Sequence, residues 1–289
     1  MSEVKYFNPR SYSELTTLFS QLPKGFQTVA GTTDFIPAAR RGVKYPVALL
    51  DISKVTELRE IKEENNRISI GAAVTMAELV SNELIINQCP VLASGAKSVG
   101  SPLTRSRATI GGNIANASPS ADTAPVLLTL NADVHLLATD GTTRQIPLAG
   151  FFLDYKKTAR KENEIITGFS FPPPGPAAWT RFAKVGQRNG AAISVANMSM
   201  ILKKDGDRCD DIAVAFGAVG PVPLRAASVE TAARGTIFSD QFITACATAV
   251  QQDISPISDI RGSADYRRHV AANILARALT DAFAQGGVK

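Results

Sequence analysis

Apolar residues recur along the chain in helical spacing in some segments and in alternation in others, with short polar turns between them. Leu15, Leu18, Phe19 and Leu22 fall at i, i+3, i+4 and i+7, the spacing of one buried helix face. Ser11 and Glu14 stand before them as an S-x-x-E capping box, and Pro23 with Gly25 ends the run. Residues 47–52 predict a buried strand. Residues 67–72 (RISIGA) predict another, entered through the turn-forming Asn65 and Asn66. Short helices are predicted over 75–79 and 91–98, and a brief apolar one over 123–130. Residues 133–139 alternate as a strand, and Asp140-Gly141 after it is a hairpin signal.

The clearest boundary is FPPPGP at 171–176, whose prolines can continue neither helix nor strand and stiffen a linker. It divides the chain into an N-terminal domain over 1–173 and a C-terminal domain over 174–289. In the second part, residues 180–185, 193–203 and 211–219 predict three strands, the last two joined at Asp205-Gly206, and two or three helices complete the chain. The final helix, over 264–283, places Val270, Ile274, Leu275 and Leu279 on one face. Short mixed strands and helices in this order point to an α+β fold rather than a regular βαβ array.

Composition narrows the class. The chain has 289 residues, 45% hydrophobic and 20% charged, ordinary globular usage and a length for about two domains. No apolar run approaches the ~20 residues of a membrane span, and MSEVKYFNPRS carries no signal core, so a cytoplasmic protein is expected. The net charge of +5 is scattered rather than clustered, which speaks for solubility and a partner surface and against nucleic acid. Cys89, Cys209 and Cys246 form no CxxC, and with only His135 and His269 beside them a metal centre lacks its usual ligands. There is no GxGxxG, no GxxxxGK[ST] and no GxSxG, which removes support for a Rossmann site, a P-loop and a serine hydrolase. His135, in an alternating strand, and His269, beside Arg267 and Arg268, are read as structural or surface residues. Asp51, Glu57, Glu63 and Glu64 are read as solvated charge.

Two segments stand out against this background. Residues 109–122 read TIGGNIANASPSAD, a run with too little bulk to build a core. Gly111 and Gly112 let a polar ligand approach the backbone, and Asn113, Asn116, Ser118, Ser120 and Asp122 add hydrogen-bonding side chains. Earlier, residues 29–35 read VAGTTDF after a short apolar run. A glycine followed by two hydroxyl residues at a strand end can form a nest of backbone N–H groups that binds anions.

Together these segments resemble the FAD-binding medium subunit of the molybdenum hydroxylases, the xanthine dehydrogenase and carbon monoxide dehydrogenase group. The likeness covers essentially the whole chain, in length, in the order of the two loops and in the C-terminal third. It implies a two-part FAD-binding domain of the vanillyl-alcohol oxidase/PCMH type, then a smaller domain with a three-stranded antiparallel sheet and helices. It also implies FAD held by Val29, Ala30, Gly31, Thr32, Thr33, Asp34 and Phe35 around the pyrophosphate and ribitol. Thr109, Gly111, Gly112 and Asn113 would form a second wall, with Asn113 bonding to the cofactor. Asn116 and Asp122 would complete the polar contacts, Asp122 through cofactor hydroxyls. Val99 matches an apolar contact position, and Ile166 and Lys184 match positions flanking the flavin, with core packing and a solvated strand lysine as their plain alternatives.

The implied activity is electron transfer in a hetero-oligomer: FAD takes electrons from a [2Fe-2S] small subunit, fed by a molybdopterin large subunit, and gives them to an external acceptor. Absence of acid–base machinery fits this, since a flavin carries the redox chemistry itself. A free-standing flavin oxidase of the vanillyl-alcohol oxidase type and a binding module that has lost FAD stay open as alternatives. The cysteine-rich insertion of the benzoyl-CoA-type reductase branch is missing, so FAD is expected to be the only redox centre in this chain. After Lys184 the sequence VGQRNGAAIS is expected to run along the open face of the flavin. Ala191 and Ala192 stand where several relatives have an acidic or aromatic residue, which favours a protein, quinone or oxygen acceptor. The same alanines leave room for a nicotinamide, so NAD⁺ stays open.

Overall fold

Ser11 starts the first helix, Tyr12–Phe19, and its hydroxyl accepts from the Glu14 N–H. The Glu14 carboxylate closes the cap one residue further back than the box pattern implies, on the N–H of Arg10. Leu15 and Phe19 are buried by this helix. These coordinates come from a computed structural model, which describes residues 4–42 and 46–284. The helix belongs to a first lobe built on a three-stranded parallel sheet. Its central strand, Ala48–Asp51, pairs with Lys5–Phe7 on one side and Gln27–Val29 on the other. Asp51 and Glu57 are not simply solvated. Asp51 accepts from the Tyr6 hydroxyl and the Ser53 N–H, and Glu57 from the Tyr12 N–H.

The second lobe is a five-stranded antiparallel sheet in the order Ile61–Glu64, Arg67–Gly71, Glu164–Phe171, Asp133–Ala138, Thr143–Pro147. Asn65 and Asn66 link the first two strands with φ of +52° and +58°, the left-handed pair that a tight hairpin requires. The central strand Glu164–Phe171 arrives from the far end of the lobe, and sequence alone did not single it out because it is buried along nearly its whole length and shows no alternation. Short helices from Met76–Ser81 to Thr123–Thr129 follow its second strand and pack largely on one another; Ile110–Ala115 lies against Glu164–Phe171, and Thr123–Thr129 against strands of the C-terminal sheet. Met76–Ser81 opens with a full capping box between Thr75 and Glu78.

Beyond residues 172–178 comes the third sheet, Trp179–Gly186, Ser194–Asp205 and Arg208–Gly217 in antiparallel order. The expected three strands carry a fourth, Leu224–Arg225, on the free edge of Arg208–Gly217. Two residues are too few for an alternation to register in the sequence. Alternate residues of this sheet face opposite ways. Ala196, Met198, Met200 and Leu202 join a core with the helices Ala227–Ala233, Asp240–Asp253 and Ala264–Ala284. Ile201 and Ala215 join the core of the N-terminal part. On that same side Ser199 and Thr129 share a buried hydroxyl contact of 2.7 Å. The sheet is therefore a partition buried on both faces. Among the described residues no helix is long and apolar enough to cross a membrane.

Candidate functional site

A cavity of about 1040 Å³ lies where the two N-terminal lobes meet the partition sheet, at the upper end of the range for small-ligand pockets. Its first wall begins at Gln27–Val29, an edge strand of the parallel sheet. The chain leaves that strand through Ala30 and Gly31, turns at Thr32 with φ +59°, and enters the helix Phe35–Arg40. Among the described residues, no hydrogen bond takes up the backbone N–H of Gly31, Thr32, Thr33 or Asp34, or the Thr32 and Thr33 hydroxyls. Successive free N–H groups around a left-handed residue form an anion-binding concavity. The Thr28 hydroxyl, on the same wall, is buried with no partner, and a buried orphan of that kind calls for a ligand or water.

The second wall is the helix Ile110–Ala115, and it works differently. Its leading N–H groups are all occupied: Ile110 and Gly111 donate to the carbonyls of Val74 and Ala72, Gly112 to the Thr109 hydroxyl at 3.1 Å, and Asn113 to the Thr109 carbonyl. This helix supplies shape rather than N–H donors. A Cβ on Gly112 would meet only the Thr109 hydroxyl, at 3.0 Å, and would otherwise stand in the cavity. Gly31 is glycine for another reason: a Cβ there would lie 1.8 Å from the Arg107 carbonyl oxygen. The first loop is thus seated directly on the chain that leads into the second.

Apart from Lys184, the residues expected from the sequence all line the cavity: Val29 through Phe35, Val99, Thr109, Gly111, Gly112, Asn113, Asn116, Asp122 and Ile166. Asn113 accepts from the Thr123 hydroxyl at 2.6 Å, which leaves its amide nitrogen without a protein partner among the described residues. Val99, Ile165 and Ile166 supply apolar surface, and Ala191, Ala192 and Ile193 close one side.

Two of the expected residues have protein partners that the sequence did not show. The Asp122 carboxylate accepts from Lys184 Nζ at 2.5 Å on one oxygen, and from Ser194 Oγ at 2.7 Å and Asn197 Nδ2 at 2.8 Å on the other. The carboxylate is thus held by three protein donors while the residue also lines the cavity. Lys184 does not line the cavity and is not a solvated strand lysine either; it is tied between Asp122 and the Ser98 carbonyl at 3.0 Å. The polar run 109–122 serves both the cavity and the partition sheet. Thr109, Gly111, Gly112, Asn113, Asn116, Ser120 and Asp122 line the cavity, while the Pro119 carbonyl between them accepts from the Ala218 N–H at 2.7 Å and docks the run against the end of the partition sheet.

Thr28, Lys156 and Arg160 also line the cavity and were not legible in the sequence. Thr28 sits in a three-residue strand too short to show a face, and the two cations sit in a loop without periodicity. His135, bonded to Ser170, and His269, bonded to Asn273, lie elsewhere. Burial holds the His135 imidazole below its ordinary pKa. No His or Cys lines the cavity among the described residues, and burial pushes the Cys89 and Cys246 thiols up to about 12. No group of three or more His, Cys, Asp or Glu is placed to hold a metal ion among the described residues.

Residues 2–174 match the family model described as the FAD binding domain in molybdopterin dehydrogenase. The chain belongs to that family. Residues 181–282 match the CO dehydrogenase flavoprotein C-terminal domain. The chain is 30% identical to the carbon monoxide dehydrogenase medium chain of Hydrogenophaga pseudoflava, over 97% of each chain. It is 31% identical to the glyceraldehyde dehydrogenase medium chain of Sulfolobus acidocaldarius, over 88% of this chain and 89% of the relative. In three dimensions it matches the Hydrogenophaga pseudoflava carbon monoxide dehydrogenase that lacks the Mo-pyranopterin moiety of the molybdenum cofactor, with a TM-score of 0.92 over 98% of both chains at 31% identity. The chain is a medium, FAD-binding subunit of the molybdenum hydroxylase type. The cavity suits FAD on its own chemistry: free N–H donors for a diphosphate, an orphan hydroxyl, apolar surface for rings, and room for a dinucleotide.

Proposed function

We propose that this chain is the electron-transfer subunit of a molybdenum hydroxylase complex, lying between a [2Fe-2S] subunit and an external acceptor. The observation that carries this reading is the cavity, which joins a row of unpartnered N–H groups to apolar walls and holds no histidine or cysteine among its described lining residues. Bound FAD supplies the redox chemistry, accepting electrons from the iron–sulfur donor and releasing them to the acceptor. The chain's own residues do the rest. Gly31 through Asp34 bind the diphosphate through their N–H groups, with the Thr32 and Thr33 hydroxyls beside them. Thr109, Gly111, Gly112 and Asn113 form the opposing wall, with Asn116 and the main chain of Asp122 completing it. Val99 and Ile166 exclude water from the ring systems. Lys184 positions Asp122 and makes no contact with the cofactor.

Relatives named for carbon monoxide and for glyceraldehyde align with 97% and 88% of this chain, which supports placing substrate choice in another subunit. We place the boundary between the two domains at 173/174 and the complex in the cytoplasm, where free, buried thiols such as these persist. Ala191 and Ala192 present only methyl groups where they line the cavity, with no ring or carboxylate to meet a flavin. On that basis a protein, quinone or oxygen acceptor is preferred to NAD⁺. In stopped-flow experiments on the reduced holo-complex, quinone or oxygen should reoxidise the flavin faster than NAD⁺ does; the reverse order would overturn the preference. The isolated, FAD-loaded chain should reduce an artificial dye once chemically reduced, yet turn over no purine, aldehyde or heteroaromatic acid. Steady turnover of such a substrate by this chain alone would replace the electron-transfer reading with that of a free-standing oxidase.

A further inference from the structure

Leaving the parallel-sheet lobe aside, one cavity-lining lysine is held in an unusual way. Lys156 sits at the turn of a two-stranded hairpin, Phe152–Asp154 with Lys157–Thr158, and its backbone is left-handed with φ +54°. Lysine adopts that conformation only at a cost, and such strain concentrates at ligand clamps. The side chain does not pair with a carboxylate: among the described residues it forms no ion pair. Its ammonium instead reaches back to a residue on the second wall and donates to the Asn116 side-chain oxygen at 3.2 Å. Arg160, from the same segment, also lines the cavity without an ion pair among the described residues, its guanidinium donating to the Glu164 carbonyl at 2.7 Å. Of the acids on the lining, Asp122 is already neutralised by Lys184, leaving Asp34 and Glu162 against Lys24, Lys156 and Arg160.

We infer that Lys156, carried by its hairpin, is a cationic clasp for the diphosphate of FAD, complementing the neutral N–H donors of residues 31–34. This rests on the reading of the cavity as the FAD site. A neutral amide oxygen is a weak partner for an ammonium, and a phosphate oxygen is a stronger one. Cofactor entry would therefore draw Lys156 from Asn116 to the diphosphate, and the hairpin would close with it. Arg160, on the same cavity lining, is a second positive charge that favours the same anion.

The test uses the full chain stripped of flavin, with FAD affinity read from flavin fluorescence at low and at high salt. Lys156→Met should weaken FAD binding by roughly tenfold to a hundredfold, as loss of a hydrogen bond to a charged group does, and should flatten the salt dependence. Lys156→Arg should restore most of the affinity. Lys157→Met, on the same hairpin but outside the cavity lining, should bind as wild type, and circular dichroism should show all three variants folded. Equal affinity of wild type and Lys156→Met, or equal losses in Lys156→Met and Lys157→Met, would overturn the clasp while leaving the FAD site standing. Failure of the wild-type chain to bind FAD at all would overturn both.

Discussion

At the residue scale the glycines of the two loops separate into those the fold needs and one the ligand needs. A side chain at Gly31 would collide with the Arg107 carbonyl, so Gly31→Ala should destabilise the flavin-free protein by roughly 3 kcal/mol or more, as severe overpacking does. In Gly112→Val the Cβ meets the Thr109 hydroxyl at 3.0 Å, a side chain that can give by a few tenths of an ångström, and the rest of its bulk enters the cavity; valine is no worse a helix former than glycine. It should leave the apo stability within about 1 kcal/mol of wild type and abolish flavin binding. Thermal unfolding of the apo proteins and flavin content of the reconstituted ones check both; retention of full FAD occupancy by Gly112→Val would remove the second loop from the site. Much of this site was legible, because TIGGN and AGTTD are dense in small and polar residues that only a ligand or a close backbone contact explains. Which explanation applies to each glycine was not legible, since a Cβ clash depends on chain more than seventy residues away in the case of Gly31 and Arg107. The protein partners of the Asp122 carboxylate were not legible for the same reason: Lys184, Ser194 and Asn197 come from the other domain.

At the element scale that same cluster joins the end of the polar run to the partition sheet. The Lys184 and Asp122 side chains are 15% and 8% exposed, and breaking such a pair from one side costs about 3–5 kcal/mol. Because Ser194 and Asn197 still donate to Asp122, Lys184→Met should fall near the lower figure, measured by urea unfolding of the apo protein. Unchanged apo stability with weakened FAD binding would instead restore Lys184 to the cofactor. A second pair, partly exposed Arg144 with buried Glu164 at 2.7 Å, ties the edge strand Thr143–Pro147 to the start of the central strand. The Arg144 guanidinium holds the Glu164 carboxyl below its ordinary value of 4.5. A carboxyl depressed by folding contributes stability that is fully present above its unfolded pKa and is lost as pH falls through the folded one. Arg144→Met should therefore lose less stability than wild type between about pH 5 and pH 3; an identical acid slope in the two proteins would contradict the pairing. Among the elements, capped helices and the hairpin turns at Asn65-Asn66 and Asp140-Gly141 followed from local sequence. The central strand Glu164–Phe171 and the two-residue edge strand Leu224–Arg225 did not, the first because both its faces are buried and the second because it is defined by pairing alone.

For the whole molecule, the two N-terminal lobes and the partition sheet border a dinucleotide-sized cavity, and among the described residues no metal-binding cluster converges with it. Neither histidine reaches the cavity, and the three thiols are buried, so the flavin is expected to be held without a covalent bond. The family match fixes the kind of subunit, and the unpartnered N–H groups support the proposal that Gly31 through Asp34 bind on one side and the Gly112 face on the other. The most direct test of that account is the flavin itself. The purified chain, or the apo chain incubated with FAD, should show a flavin absorption spectrum at one FAD per chain, and acid precipitation should leave the yellow cofactor in the supernatant. A chain that takes up no FAD would contradict the account, and so would a flavin that stays with the protein pellet.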